Sequence, residues 1–133
     1  MSENVVYLSP EWRDEAERRL KAELTPDKMK NITTSMSNIY TNCPGGGDKW
    51  LIFRFENGVL AEVGVGSGEP PEAEFRVTGA YEVFARITQG TLKSQRALMT
   101  GKLKLKGNMV KALKLASLAD RMNKVLATIP ATY

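Results

Sequence analysis

The sequence predicts an α+β fold: a single domain over residues 1–133, in which helices cover one face of a five-stranded, mostly antiparallel sheet. Two observations lead to this fold class. Between Trp50 and Val77, apolar and polar residues alternate with a period of two, broken only by turn sequences. This pattern is typical of antiparallel strands with one buried face. Helical periodicity lies before and after these strands, so helices and hairpins are segregated along the chain.

The N-terminal segment, residues 1–33, is predicted to be helical. Ser9-Pro10 combines an N-cap residue with proline at the first helical position. Apolar residues then recur at helical spacing, namely Trp12, Ala16, Leu20 and Leu24. Thr25-Pro26 repeats the start signal, which predicts a second short helix that ends near Thr33.

A run of strands follows the helical segment. Residues 36–42 are compatible with a strand but weakly patterned, whereas Trp50–Glu56 is strongly patterned. Asn57-Gly58 is a strong hairpin signal, so residues 59–65 are predicted to return as the partner strand. Its apolar face would carry Val59, Ala61, Val63 and Val65.

The alternation assigns the side chains of the strands to two sheet faces. One face would be charged, with Arg54, Glu56, Glu62, Glu74, Arg76, Lys102, Lys104 and Lys106. The other would be apolar, with Phe53, Phe55, Val63, Phe75, Val77, Leu103 and Leu105. The helices are expected to cover the apolar face.

The C-terminal part of the chain returns to helical periodicity. Tyr81, Phe84 and Ile87 share the face of a helix that ends at Gly90. A short helix near residues 94–99 and a strand at 102–106 precede a long apolar helix at 108–127. A short strand that leads into so apolar a helix suggests an apolar cavity. On that helix, one broad stripe is predicted to comprise Met109, Leu113, Ala116, Met122 and Leu126.

Composition excludes several kinds of chemistry. The chain has no histidine and one cysteine, so it cannot form a Ser-His-Asp or Cys-His triad, a Cys/His metal site or an internal disulfide. We therefore expect no metal, no cofactor and no enzymatic activity. The sequence contains no long apolar run, secretory signal or peroxisomal address, so we expect a cytoplasmic protein.

Charge is distributed unevenly along the chain. Residues 1–92 contain 10 Lys and Arg against 14 Asp and Glu, whereas residues 93–133 contain 9 against 1. This C-terminal excess could attract the headgroups of an anionic membrane or an acyl-CoA phosphate. Nucleic acid is not an expected partner, because aromatic residues are not interleaved with the basic ones. The candidate anion contacts are Lys102, Lys104, Lys106, Lys111 and Lys114.

Residues 50–118 resemble the lipid-binding domain of the sterol carrier protein type-two family. The resemblance rests on residues 73–77, the helix around Tyr81, the turn Gly90-Thr91-Leu92 and, above all, Met99–Met109 (MTGKLKLKGNM). It implies a helix-covered five-stranded sheet that encloses an apolar tunnel. It also implies non-catalytic binding of sterols, fatty acids, acyl-CoAs or phospholipids.

These considerations predict an intracellular lipid carrier with an apolar tunnel. The candidate lining residues are Phe53, Phe55, Val63, Phe75, Val77, Tyr81, Phe84, Ile87, Met99, Leu103, Leu105, Met109, Leu113, Ala116, Met122 and Leu126. The main alternative is a non-catalytic interaction module, such as a homodimer formed through the apolar C-terminal helix. A small hydrolase that uses carboxylates is the weaker alternative, because no paired-carboxylate motif is present.

Overall fold

The computed structural model describes residues 4–133, and its main sheet has the strand order β4-β3-β2-β5-β6. The five strands are β2 (Thr34–Thr41), β3 (Lys49–Glu56), β4 (Val59–Ser67), β5 (Phe75–Ala80) and β6 (Leu103–Lys106). Only the β2–β5 pair is parallel, and the other three pairs are antiparallel. The predicted α+β class and mostly antiparallel sheet are therefore confirmed.

Within residues 4–133, five helices accompany the sheet. They are α1 (Pro10–Glu23), α2 (Tyr81–Thr88), α3 (Ser94–Met99), α4 (Met109–Lys114) and α5 (Ala116–Leu126). Helix α1 begins as predicted, because Pro10 occupies its first turn and the Ser9 hydroxyl accepts a hydrogen bond from the Trp12 N–H at 3.2 Å. None of the helices within residues 4–133 is long and apolar enough to cross a bilayer.

The register of the sheet arranges the inward side chains in cross-strand rows. Met36 lies between Phe53 and Phe75, and Asn38 lies between Leu51 and Val77. The opposite face carries the ion pair between Arg54 and Glu62 and, near the β6 edge, the neighbours Arg76 and Lys106. The predicted division of the sheet into an apolar and a charged face therefore holds for these strands.

The hairpin between β3 and β4 forms at the predicted place, but its register contains a bulge. Asn57 and Gly58 both have positive φ, at 50° and 81°, as a two-residue type I′ turn requires. Arg54 pairs with Glu62, whereas Phe55 pairs with Leu60, so β4 has one extra residue at this point. The prediction that Val59 and Ala61 share a face with Val63 is therefore wrong, and Leu60 is buried there instead.

The second helix predicted near residues 26–33 is wrong. The chain closes a single turn there, with hydrogen bonds from Asn31 N–H to Pro26 O and from Lys30 N–H to Asp27 O. Lys30 and Asn31 have left-handed φ values of 53° and 51°, so this is the closure that ends helices in a Schellman motif. The predicted helical segment, residues 1–33, is thus helical only in α1, and its residues 1–3 lie outside the described part.

The two ends of the described chain pair with each other, which the sequence pattern did not indicate. Strand β1 (Val5–Val6) runs parallel to β7 (Ala131–Thr132) in a separate two-stranded sheet. Tyr7, which follows β1, packs against Tyr133 with 4.8 Å between ring centroids. Helices α1 and α5, which lie next to these two strands in the chain, are also in contact with each other.

The long helix predicted at residues 108–127 is interrupted at Leu115, so it forms two helices, α4 and α5. On a continuous helix Met109 and Met122 would lie about 140° apart, at about 100° per residue. With the break, all five residues of the predicted stripe line one cavity, which is described below. Their burial differs, since Leu113 is 52% exposed and Leu126 is 3% exposed.

Candidate ligand cavity

A cavity of about 140 Å³ lies between the inner face of the sheet and helices α2 to α5. Its sheet wall is built from the inward side chains of β2, β3, β5 and β6. Because the strand period is two, these side chains are alternate residues: Thr34, Met36, Asn38, Tyr40, Leu51, Phe53, Phe55, Phe75, Val77, Leu103 and Leu105. Along β2 this wall extends about 20 Å, at roughly 3.3 Å per residue.

The opposite wall comes from the helices and from the turn after α1. Its side chains are mostly aliphatic and include three methionines, whose unbranched chains can adapt to a partner's shape. The residues are Met29, Ile32, Phe84, Ile87, Thr88, Ser94, Gln95, Leu98, Met109, Ala112, Leu113, Leu115, Ala116, Leu118, Ala119, Met122, Asn123 and Leu126. No lining residue within the described chain is charged.

The cavity meets solvent between α3 and α4. The exposed lining residues Gln95, Met109 and Leu113 lie there, and we call this set the mouth. Met99 and Val110 beside it are 79% and 65% exposed, so the mouth carries a solvent-facing apolar surface. Such a surface marks a place where a ligand, a membrane or another protein can make contact.

The far end of the cavity is polar. Asn38, Tyr40 and Thr88 are all buried there, and we call them the inner end. The Tyr7 hydroxyl lies 3.0 Å from that of Tyr40 and 2.9 Å from that of Thr88. Burial raises the pKa of both tyrosines well above the ordinary value of 10, so these hydroxyls stay uncharged.

Thirteen of the sixteen predicted lining residues lie on the cavity wall. The other three are elsewhere for identifiable reasons. Val63 is buried on the inner face of β4, where α1 covers it and Arg13 Nε donates to its carbonyl oxygen at 2.7 Å. Tyr81 packs against Tyr7, with 5.7 Å between ring centroids, and Met99 points to solvent.

Sequence reasoning missed the polar part of the wall and the contribution of β2. Asn38 and Tyr40 alternate with Ser37 and Ile39, so their shared face follows from the strand period once β2 is accepted. The weak apolar pattern of that strand concealed it. Met29 and Ile32 were expected in a helix and instead reach the cavity from the turn.

The predicted anion contacts do not converge on one site. Lys104 and Lys106 alternate with the cavity-lining Leu103 and Leu105, so they lie on the opposite face of the sheet. Lys111 pairs with Glu74, whose pKa falls because Lys111 and then Thr34 hydrogen-bond its carboxylate. Lys102 and Lys114 are exposed, and Lys114 directly follows the mouth residue Leu113 in α4.

Two further features limit the chemistry of the site. Among residues 4–133, no cluster of acidic residues or cysteine has the composition of a metal site. The Cys43 thiol is buried, and burial raises its pKa, which makes it a weaker nucleophile than an exposed thiol. The described cavity is therefore suited to hold apolar groups by exclusion from water.

The size of the cavity limits what fits without movement. A cavity near 150 Å³ accommodates a benzene-sized group, whereas pockets for drug-sized molecules occupy roughly 300–1,000 Å³. The space of about 140 Å³ thus holds only part of a long chain or a fused ring system. A larger occupant has to displace a wall, and α4 is the helix with no buried residue.

Comparison with known proteins identifies the family. Residues 14–120 match the SCP-2 sterol transfer family. Non-specific lipid-transfer protein-like 1 of Caenorhabditis elegans is 32% identical over 103 residues, which cover 76% of this chain and 84% of that protein. Hydroxysteroid dehydrogenase-like protein 2 of Homo sapiens is 32% identical over 126 residues, 91% of this chain.

That human protein is much longer, since the matched part is 29% of its length. The chain likewise spans about a quarter of its Bos taurus counterpart. Among solved structures, the crystal structure of sterol carrier protein 2 superposes with a TM-score of 0.80 at 20% identity, over 92% of this chain and 98% of that one. The predicted resemblance is therefore confirmed, and the chain belongs to the SCP-2 sterol transfer family.

Proposed function

We propose that the protein is a non-catalytic lipid carrier that holds one fatty acid, acyl-CoA, sterol or similar apolar ligand between the sheet and helices α2 to α5. The observation that carries the proposal is an uncharged cavity, lined mostly by aliphatic and aromatic side chains, that opens to solvent at the mouth. The family supports a lipid ligand, and the nematode relative is named as a lipid-transfer protein.

The driving force would be removal of hydrocarbon from water. Each buried methylene contributes about 0.8 kcal/mol, so a chain of about twelve methylenes gains roughly 10 kcal/mol before ordering costs. No lysine or arginine lines the described cavity, so a charged headgroup is expected to stay at the mouth, where water solvates it.

Entry of a whole chain would require α4 to move outward, which would turn the cavity into a tunnel. Two features favour this helix as the moving wall. It has no buried residue, and it contributes Met109 and Leu113 to the mouth. A single carboxylate, Glu74, ties it to the sheet through Lys111.

Transfer of the ligand would take place at an anionic membrane surface inside the cell, with the protein otherwise in the cytoplasm. Transient docking is supported by exposed apolar residues (Met99, Val110) that are followed within four residues along the chain by exposed cations (Lys102, Lys114). Apolar contact combined with attraction to anionic headgroups is the usual basis of reversible attachment to bilayers.

The interaction module remains the second candidate, because the same exposed apolar surface could instead bind a second copy of the chain. The two functions differ in what the cavity does. A carrier needs the cavity, whereas an interaction module needs only the exposed surface.

The experiment is a titration with a fluorescent fatty acid, followed by the same titration on two variants. Ala119→Phe fills the cavity wall from α5, and Ala22→Phe adds the same ring on the exposed side of α1 as a matched control. We expect one saturable site in the parent protein, at least about tenfold weaker binding in Ala119→Phe, and unchanged binding in Ala22→Phe. Equal binding by all three proteins, or none, would refute the carrier, and concentration-dependent mass without ligand would favour the module.

A further inference from the structure

We propose that the inner end of the cavity is a subsite for an uncharged hydroxyl group on the ligand, and that Asn38 determines this preference. The inference rests on the proposed function and adds a ligand class to it. The class comprises long-chain or ring compounds that carry an alcohol at the end that enters the cavity first.

Asn38 is unusual for its position. It lies in the middle of β2, the central strand, in a cross-strand row with Leu51 and Val77. The residue is 8% exposed, and its Oδ1 is buried without a hydrogen-bond partner in the described chain. A buried acceptor without a partner destabilises the folded protein, and replacement by an apolar residue would remove that cost. Asn38 lines the cavity, so a ligand there can supply the donor that its Oδ1 lacks.

The neighbouring hydroxyls supply the complementary half of the subsite. Tyr7 joins Tyr40 and Thr88 in a chain of three hydroxyls. Each hydroxyl carries one hydrogen, and the two bonds use two of the three, so one hydrogen is left over. The Asn38 side chain also hydrogen-bonds the Tyr40 hydroxyl, which places its amide beside this cluster. Tyr40 and Thr88 both line the cavity next to Asn38. A ligand alcohol can thus donate to Asn38 and accept from this cluster at the same time.

The same surroundings disfavour a charged group. The described lining contains no lysine or arginine, and a carboxylate at the inner end would have no cation to balance it. Burial also raises the pKa of Tyr40, which shows that this end of the cavity solvates anions poorly. An alcohol suits the inner end, because it offers a donor and an acceptor for hydrogen bonds and carries no charge.

The test compares saturated fatty acids with ω-hydroxy acids of matched chain length, over a series of lengths. In both sets the carboxylate stays at the mouth, so only the far end of the chain differs. For the parent protein we expect one chain length at which the ω-hydroxy acid binds at least as tightly as its saturated partner. At that chain length, the Asn38→Leu substitution should weaken binding of the ω-hydroxy acid about tenfold more than it weakens binding of the saturated acid.

Ile39→Leu is the matched control, because Ile39 is next to Asn38 on β2 but lies on the opposite face of the sheet, outside the cavity lining. It should leave the hydroxyl preference unchanged. If Asn38→Leu does not fold, Thr88→Val tests the same subsite from α2, with the same expected loss.

The outcomes separate the two proposals. The subsite would be overturned, and the carrier left intact, if saturated acids bind and the added hydroxyl weakens binding equally in the parent protein and in Asn38→Leu. The same result is expected if a water molecule is permanently hydrogen-bonded to the Asn38 amide. Failure of every acid to bind the parent protein would overturn the carrier and the subsite together.

Discussion

Helices α4 and α5 are separated by one residue and line the same cavity, yet they relate to the core in different ways. Helix α5 buries Leu118, Met122 and Leu126, whereas α4 buries no residue. Two of the three α4 side chains that line the cavity, Met109 and Leu113, are about half exposed. One helix therefore forms a fixed wall that belongs to the core, and the other forms an outer wall held mainly at its edges.

The attachments of the two helices explain this difference. Beyond α5 the chain continues to the buried Ile129 and to β7, which pairs with β1. Helix α4 is bounded by Gly107 on one side and by Leu115 on the other, and its first turn is capped by Asn108 Oδ1, which accepts from the Lys111 N–H at 3.1 Å. Displacement of α4 would cost few buried contacts, whereas displacement of α5 would open the core.

The largest expected difference between the two helices is in stability. Leu126→Ala in α5 removes buried methyl groups and should lower the free energy of unfolding by about 2–5 kcal/mol. Leu113→Ala in α4 removes a side chain that is 52% exposed and should lower it by about 0.5 kcal/mol or less. Urea unfolding of both variants measures the two values. Similar losses would mean that α4 belongs to the core and cannot serve as the moving wall.

The sequence was informative where the structure is decided locally. Ser9-Pro10 begins α1 and Asn57-Gly58 forms the hairpin, because capping and turn chemistry involve only residues that are close in sequence. The alternation in β3, β5 and β6 also predicted most of the apolar wall. These features depend on short-range preferences and on one repeat period.

Features that depend on distant contacts were not predictable in this way. Lys30 adopts a left-handed conformation, unusual for lysine, in a turn whose Ile32 carbonyl accepts from the Gly58 N–H at 2.7 Å, across the chain. The inner end needs the register of β2 against β3 and β5, and Tyr7 reaches Tyr40 from 33 residues away. No sequence window contains these partners together.

The second expected difference concerns exchange of the ligand. Glu74 holds α4 through Lys111, and that bond lowers the pKa of Glu74 below its ordinary value of 4.5. When the pKa of a carboxylate is lowered in the folded protein, its contact is fully stabilising at pH values above the ordinary pKa. The stabilisation is lost as the pH falls through the lowered pKa. We therefore expect α4 to open more readily in acid, with dissociation of the ligand several-fold faster once the Glu74 carboxyl is protonated than at neutral pH.

A fluorescent long-chain alcohol is the suitable probe, because it does not titrate in this range. Glu74→Gln should release the probe quickly at both pH values and so show little pH dependence. The ion pairs of α1 are not expected to account for the effect, since Arg18 and Arg19 lower the pKa of Glu15 to about 2. A pH response of the same size in Glu74→Gln would show that the Glu74–Lys111 pair does not control α4.

The smallest expected difference concerns attachment to membranes, and it compares a cation on each helix. Lys114 on α4 lies beside the exposed Leu113 of the mouth, and Lys124 on α5 is exposed about ten residues further along the chain. A cation close to an anionic bilayer contributes about 1 kcal/mol, or roughly a fivefold change in affinity, and the effect falls off within about 8 Å at physiological salt.

If the mouth faces the membrane, Lys114→Gln should weaken binding to anionic vesicles about fivefold, and Lys124→Gln should change it little. Cosedimentation with vesicles that contain phosphatidylserine measures both, with neutral vesicles as the baseline. Equal losses in the two variants would mean that attachment depends on the overall positive charge of residues 93–133, with no specific orientation of the mouth towards the bilayer.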